Sequence, residues 1–184
     1  MNPVAIAAVE TSSIAQGYVV ADAMVKQADV DVLEAATLSP GRFWVLIGGE
    51  VAPVRASHRR GVEIAADTLL DELLIPQLHP GVPAALRGVA SAPPHDALGV
   101  VETLTAASAI VAADAAAKAA DITLRDVRLA NGIGGKGIVT LSGAVSDVQA
   151  GVEAARELAG RRGLLARWVV IPRLDPRLRA RLVG

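Results

Sequence analysis

The 184-residue chain contains no cysteine, and aromatic residues make up only 2% of it. The first absence excludes disulfides, thiolate nucleophiles and cysteine-ligated iron–sulfur clusters. The second removes the stacking platforms that grip single-stranded nucleic acid. An excess of charge of either sign is also lacking: 18 Lys and Arg against 19 Asp and Glu give a formal net charge of −1. There is no concentrated basic face of the kind a phosphate backbone requires, so no nucleic-acid partner is expected. Long hydrophobic runs are missing as well. The most apolar stretch, Leu104 to Ala120, is cut by Asp114 and Lys118 and is too short and too polar to span a bilayer. Glu10 breaks a weakly apolar start that has no basic lead, so neither a secretory signal nor a membrane partner is expected, and the cytoplasm is the expected compartment.

What the chain does have is apolar residues, 52% of the total, and a repetition. That much apolar material implies buried interfaces. Ala5-Ile6-Ala7-Ala8-Val9-Glu10-Thr11 returns 92 positions later as Ala97-Leu98-Gly99-Val100-Val101-Glu102-Thr103. At the same offset Ala21-Asp22-Ala23 with Lys26 becomes Ala113-Asp114-Ala115 with Lys118. The offset then drifts to 94, where Gly49, Val51 and Val54 answer to Gly143, Val145 and Val148, and to 96, where Ile75-Pro76 answers to Ile171-Pro172. Solenoid repeats have periods of roughly 20–50 residues, so a period this long means two tandem domains. They are expected at 1–88 and 97–184, joined by a linker from Gly88 to Asp96 that holds Ser91, Pro93, Pro94 and His95. Domains of this size have modest cores, so packing between copies and onto neighbouring chains should matter.

Both copies give one order of elements. In the first, Ala5 to Glu10 reads as a buried strand, and Ser12 or Ser13 offers an N-cap for a helix from Ile14 to Gln27. Val30 to Ala36 and Arg42 to Gly48 are strands around the turn signal Pro40-Gly41, followed by a helix from Val51 to Leu70 and a strand from Leu73 to Ile75. The second copy gives strand Leu98–Glu102, helix Ala106–Ala119, strands Ile122–Leu129 and Ile138–Leu141, helix Val145–Ala159 and strand Leu165–Ile171. Strand, helix, hairpin, helix, strand, twice over, predicts an α+β fold with an antiparallel-type sheet flanked by helices.

Chemistry-bearing motifs are few. Gly132-Ile133-Gly134-Gly135-Lys136-Gly137 contains a formal G-x-G-x-x-G, but the β-branched Ile138-Val139-Thr140 that follows reads as a strand. A dinucleotide site needs that pattern to open a helix. The segment is therefore expected to be a glycine-rich hairpin loop with room for positive φ. His58, His79 and His95 fall in three different elements without metal-like spacing. Neither copy has a Ser/His/Asp nucleophile set. Glu10 and Glu102 end the first strand of each copy and are expected to hydrogen-bond structurally. An enzymatic reading would need one of them in a pocket with a shifted pKa. Lys26 and Lys118 sit near the C-terminus of the first helix of each copy, where the helix dipole favours a cation.

These residues resemble the bacterial microcompartment shell domain. The marks are Val-Glu-Thr closing the first strand, Ala-Asp-Ala followed by Lys on the first helix, the glycine-rich hairpin, Gly-x-Val entering the second helix, and Ile-Pro-Arg at 171–173. The likeness covers essentially the whole chain and is nearest to tandem-domain, trimer-forming shell proteins of the propanediol-utilisation type, in the unpermuted order. It implies a homotrimer of two-domain chains, a pseudohexamer that tiles into a shell with other shell proteins around encapsulated enzymes. It also implies a pore ringed by Leu38, Ser39, Pro40 and Gly41 from the first copy and Gly132, Ile133, Gly134, Gly135 and Lys136 from the second. Lys26, Lys118 and Arg173 match tile-edge positions, with Gln77 in the place of Arg173 in the first copy. Relatives of this type place a cysteine at the position of Ser39, where three of them hold an iron–sulfur cluster. A serine hydroxyl is a poor substitute for a thiolate, so a metal-free pore for small polar metabolites is expected, with no cofactor and no catalysis. The competing reading is a trimeric regulatory module that binds a small metabolite between subunits.

Overall fold

In the computed structural model, residues 4–89 and 96–182 are described. Most of the expected linker, and His95 within it, lies outside them. The chain divides into two compact units, Met1–Leu78 with Ala130–Gly135, and His79–Leu129 with Lys136–Gly184.

Unit 1 contains β1 (Ala5–Thr11), α1 (Ile14–Gln27), β2 (Asp31–Leu38), β3 (Arg42–Gly49), α2 (Val51–Ala65) and β4 (Leu69–Ile75). The sheet is antiparallel in the order β2-β3-β1-β4. β1 is buried at every position, as a central strand must be when both of its faces are covered. Ser13 caps α1, its hydroxyl accepting from the Gln16 amide at 3.2 Å. Val20 and Met24 of α1 and Val54 and Ala65 of α2 pack with Val9, Phe43, Val45 and Ile47 of the sheet, each large side chain contributing about 1.5–3 kcal/mol by burial. The helices approach closely because Gly61 lacks a side chain: a Cβ there would lie 2.6 Å from Met24 Sδ.

The second helix departs from expectation. It ends at Ala65, not Leu70, with Ala66 at φ 48°. A 3₁₀ turn over Ala66–Thr68 follows, and Leu69–Ile75 is all strand, paired with β1 from Thr11↔Leu69 to Ile6↔Ile75. Cross-sheet pairing overrides the helical spacing of the leucines.

Unit 2 contains α3 (Val82–Leu86), β5 (Ala97–Thr103), α4 (Ala106–Ala119), β6 (Ile122–Leu129), β7 (Gly137–Gly143), α5 (Val145–Arg161), β8 (Leu165–Ile171) and α6 (Pro176–Leu182). Its sheet runs β6-β7-β5-β8, the same topology as unit 1. The bulges recur too, after Glu10 and Glu102 and within the partner strands at Val32/Glu34 and Leu124/Asp126. Thr105 caps α4 as Ser13 caps α1. The short helices α3 and α6 are additions to the expected pattern. α3 packs on β6 and α4, so the segment after Leu78 belongs with the second unit. Leu124, Arg125 and Val127 of β6 are accordingly buried, and burial pulls the Arg125 guanidinium below its ordinary pKa. β2, the corresponding strand of unit 1, is exposed along nearly its whole length.

Candidate functional site

The β2–β3 hairpin turns at Ser39-Pro40-Gly41, with Leu38 paired to Arg42 at its base. Ser39, Pro40 and Gly41 are exposed at the tip, while Leu38 is buried. Leu38 therefore anchors the loop from below, and the exposed tip begins at Ser39. The Ser39–Pro40 bond is cis, and Gly41 has φ 70°.

The glycine-rich segment packs beside this turn within unit 1. The Ser39 amide donates to Asn131 Oδ1 at 3.3 Å. Arg42 Nη1 donates to Glu10 Oε1 at 2.8 Å and reaches the Gly135 carbonyl at 3.4 Å. Gly135 is buried at φ 83°, and a Cβ there would lie 2.9 Å from the Ser39 carbonyl oxygen. Only glycine combines that left-handed conformation with so close a backbone approach. Gly132 and Gly134 also have positive φ but face open space, and Ile133 is half-buried. The segment leads into strand β7, not a helix, so the formal G-x-G-x-x-G lacks the helix N-terminus that would receive a pyrophosphate.

The two strand-ending carboxylates have equivalent partners. Glu10 is fully buried and pairs with Arg42; Glu102 pairs with Lys136 at 2.6 Å in a more exposed setting. Arg42 opens the third strand of its copy and Lys136 immediately precedes the third strand of the other. Each pair thus pins the base of its hairpin loop, and this is the structural role expected of the glutamates. Lys136 lies at the loop's foot, held by Glu102. Sequence reasoning passed over Asn131 and Arg42. The signal for Arg42 was available, since Arg42 and Lys136 are cations at the 94-residue offset.

The expected edge residues are also paired by their own helices. Lys26 bonds Asp22 at 2.7 Å and Lys118 bonds Asp114 at 2.6 Å, both at i,i+4 spacing. Asp114 additionally accepts from the His79 amide at 2.8 Å and is buried, whereas Asp22 is exposed. Gln77 and Arg173 are exposed just beyond β4 and β8. The donor set of the loops consists of a hydroxyl, an amide and backbone carbonyls. It does not fit an iron–sulfur cluster, which needs thiolates or imidazoles. Among the described residues no group of three or more His, Cys, Asp or Glu is placed to hold a metal ion, and no helix is long and apolar enough to cross a membrane.

Comparison with known proteins adds to this geometry. The family described as BMC domain matches residues 5–78 and again 97–174. The chain is 43% identical over 169 residues to the bacterial microcompartment shell protein PduT of Citrobacter freundii, covering 92% of each. It is 28% identical to the carboxysome assembly protein CcmO of Synechocystis sp. (strain ATCC 27184 / PCC 6803 / Kazusa), with 92% of this chain and 61% of that protein covered. A solved structure of a microcompartment protein from Desulfitobacterium hafniense DCB superposes with a TM-score of 0.83 at 44% identity, covering 96% of this chain and 98% of the other. The fused permuted hexameric shell protein MSM0275 from the RMM microcompartment, at TM-score 0.61 and 24% identity over 84% of this chain and 81% of that one, shares the fold.

Proposed function

The chain belongs to the BMC domain family as a tandem-domain shell protein of bacterial microcompartments, and from that premise we propose that three copies close into a pseudohexameric tile with a polar central pore. The observation that supports this reading most strongly is the doubling itself: two matched domains with the same strand order and the same bulges lie in one chain. Three such chains supply six near-equivalent lobes, and closed cyclic symmetry makes the ring finite. The tile sits in the microcompartment shell beside other shell proteins, with encapsulated enzymes beneath it.

In this reading Ser39, Pro40 and Gly41 surround the axis, with the 132–135 glycines behind them. Asn131, Arg42 and Gly135 hold the loop in place. Three serine hydroxyls and nearby carbonyls favour small polar metabolites over apolar or bulky ones by hydrogen bonding and size. The protein's contribution is then selective diffusion, not catalysis, in keeping with the structural roles of its relatives. Lys26, Lys118, Arg173 and Gln77 meet neighbouring tiles. Each exposed contact is worth about 0–1 kcal/mol, but repetition along an edge gives avidity.

Negative-stain electron microscopy at high concentration tests the tile: sheets or closed bodies are expected, while isolated rings that bind a metabolite would favour the regulatory module. Ser39→Leu should slow flux to encapsulated enzymes, and unchanged flux counts against this pore. The metal-free pore has a separate test. After treatment with iron and sulfide followed by desalting the protein should retain no iron; iron retained in proportion to the unsubstituted chain would refute the assignment.

A further inference from the structure

The repeat runs beyond the last strand of each copy. Ile75-Pro76-Gln77-Leu78-His79-Pro80 answers to Ile171-Pro172-Arg173-Leu174-Asp175-Pro176 at a constant offset of 96, and Val82, Ala84, Leu86 and Gly88 answer to Leu178, Ala180, Leu182 and Gly184. The backbone follows the same course. The Leu78 amide donates to the Val4 carbonyl at 3.1 Å, and the Leu174 amide donates to the Asp96 carbonyl at 2.7 Å, Val4 and Asp96 being equivalent positions. Two residues after His79 the Gly81 amide donates to the His79 ring at 3.2 Å; two residues after Asp175 the Arg177 amide donates to the Asp175 carboxylate at 2.9 Å. Each turn then enters a short helix, α3 or α6.

The fates of the two helices differ. α3 lies on β6 and α4, with Val82 and Ala85 at 0% exposure and Leu124 and Val127 of β6 at 5% and 2%. The His79 amide fixes it to Asp114. In unit 1 the matching receptor stands open: Val32, equivalent to Leu124, is 48% exposed, neighbouring Leu33 is 44% exposed, and Asp22, equivalent to Asp114, is exposed. The matching ligand stands open too, since Leu178, equivalent to Val82, is 51% exposed. An apolar knob and an apolar receptor are thus both unused, and the chain itself displays how such a pair docks.

We infer that α6 of one chain lies on β2 and α1 of a second copy of this chain, as α3 lies on β6 and α4. Charge agrees with that choice of occupant. The tail carries Arg173, Arg177, Arg179 and Arg181 against Asp175, while the receiving surface carries exposed Asp22, Asp29 and Asp31 against Lys26. Arg177 and Arg179 are held by Asp175 and Asp96, leaving Arg173 and Arg181 exposed to face that surface. Leu178 covers Val32 and Leu33, and the Asp175 amide points at Asp22. The contact is head-to-tail, so it propagates from chain to chain instead of ending in a pair, and in the homotrimer proposed above it closes the ring. The inference rests on the homotrimer proposed above and adds which segment fastens it.

The absence of native cysteine makes the test clean. Val32→Cys and Leu178→Cys chains, co-expressed and treated with a short bismaleimide, should give a covalently joined pair of chains, and the double variant a ladder up to three. A chain ending at Asp175 should associate at least roughly tenfold more weakly, the effect of losing about one buried leucine. A trimer by light scattering that does not cross-link, that cross-links only within one chain, or that survives truncation unweakened overturns the docking and leaves the trimer intact. An unsubstituted chain that stays monomeric overturns both.

Discussion

The two copies share strand order, register and bulges, yet the same positions live in different surroundings. β6 is covered by α3, and β2, with the same bulge, is open. Glu10 is fully buried against Arg42, while Glu102 keeps 28% of its side chain exposed against Lys136. Asp114 is buried at its lysine and Asp22 is not. Fold is thus set by the shared apolar pattern, and exposure by what lies against each copy. The first copy's open surfaces are where the docking inferred above would place another chain.

The sharpest way to break this comparison is at the glutamates. Glu10→Ala takes the carboxylate partner from the partly buried Arg42 guanidinium and should cost about 3–5 kcal/mol, whereas Glu102→Ala should cost about 0–1 kcal/mol. Urea denaturation of the two variants reads the difference, and equal losses would mean that the two loop bases are equivalent after all. Next comes the glycine loop. Gly134→Ala has open space and suffers only left-handed strain, about 1–2 kcal/mol. Gly135→Ala adds collision with the Ser39 carbonyl, about 1–3 kcal/mol more, and should speed proteolysis of the loop, which Gly134→Ala should not. The smallest effect is at the lysines. Lys118→Ala, which leaves the largely buried Asp114 with fewer donors, should cost about 1 kcal/mol, and Lys26→Ala about 0.3 kcal/mol. Thermal melts of both variants at low ionic strength check the order.

Much of this was legible in the residues. Helices α1 and α4 run Ile14–Gln27 and Ala106–Ala119 as the spacing predicts, and β6 and β8 match to the residue. The overextended α2 shows where local reading fails. Residues 65–70 keep a helical spacing of Ala and Leu with no glycine or proline to stop it, and pairing with β1, distant in sequence, draws Leu69 and Leu70 into the strand. In the second copy Gly163 at φ 68° supplies the stop, and the strand after it was found. The loop anchors were harder. Asn131 stands out neither by charge nor by repetition, and its role depends on a turn 92 residues away. The tail helices were readable in principle, because Leu-x-Pro recurs at 78–80 and 174–176. Their short length and prolines hid them from periodicity.

Native mass spectrometry of the intact chain, paired with class averages from electron microscopy, tests the central claim most directly. The account predicts one dominant species of three chains, seen face-on as a closed ring of six lobes with a central opening. A monomer at micromolar concentration, or a ring whose lobes do not number six, would contradict it.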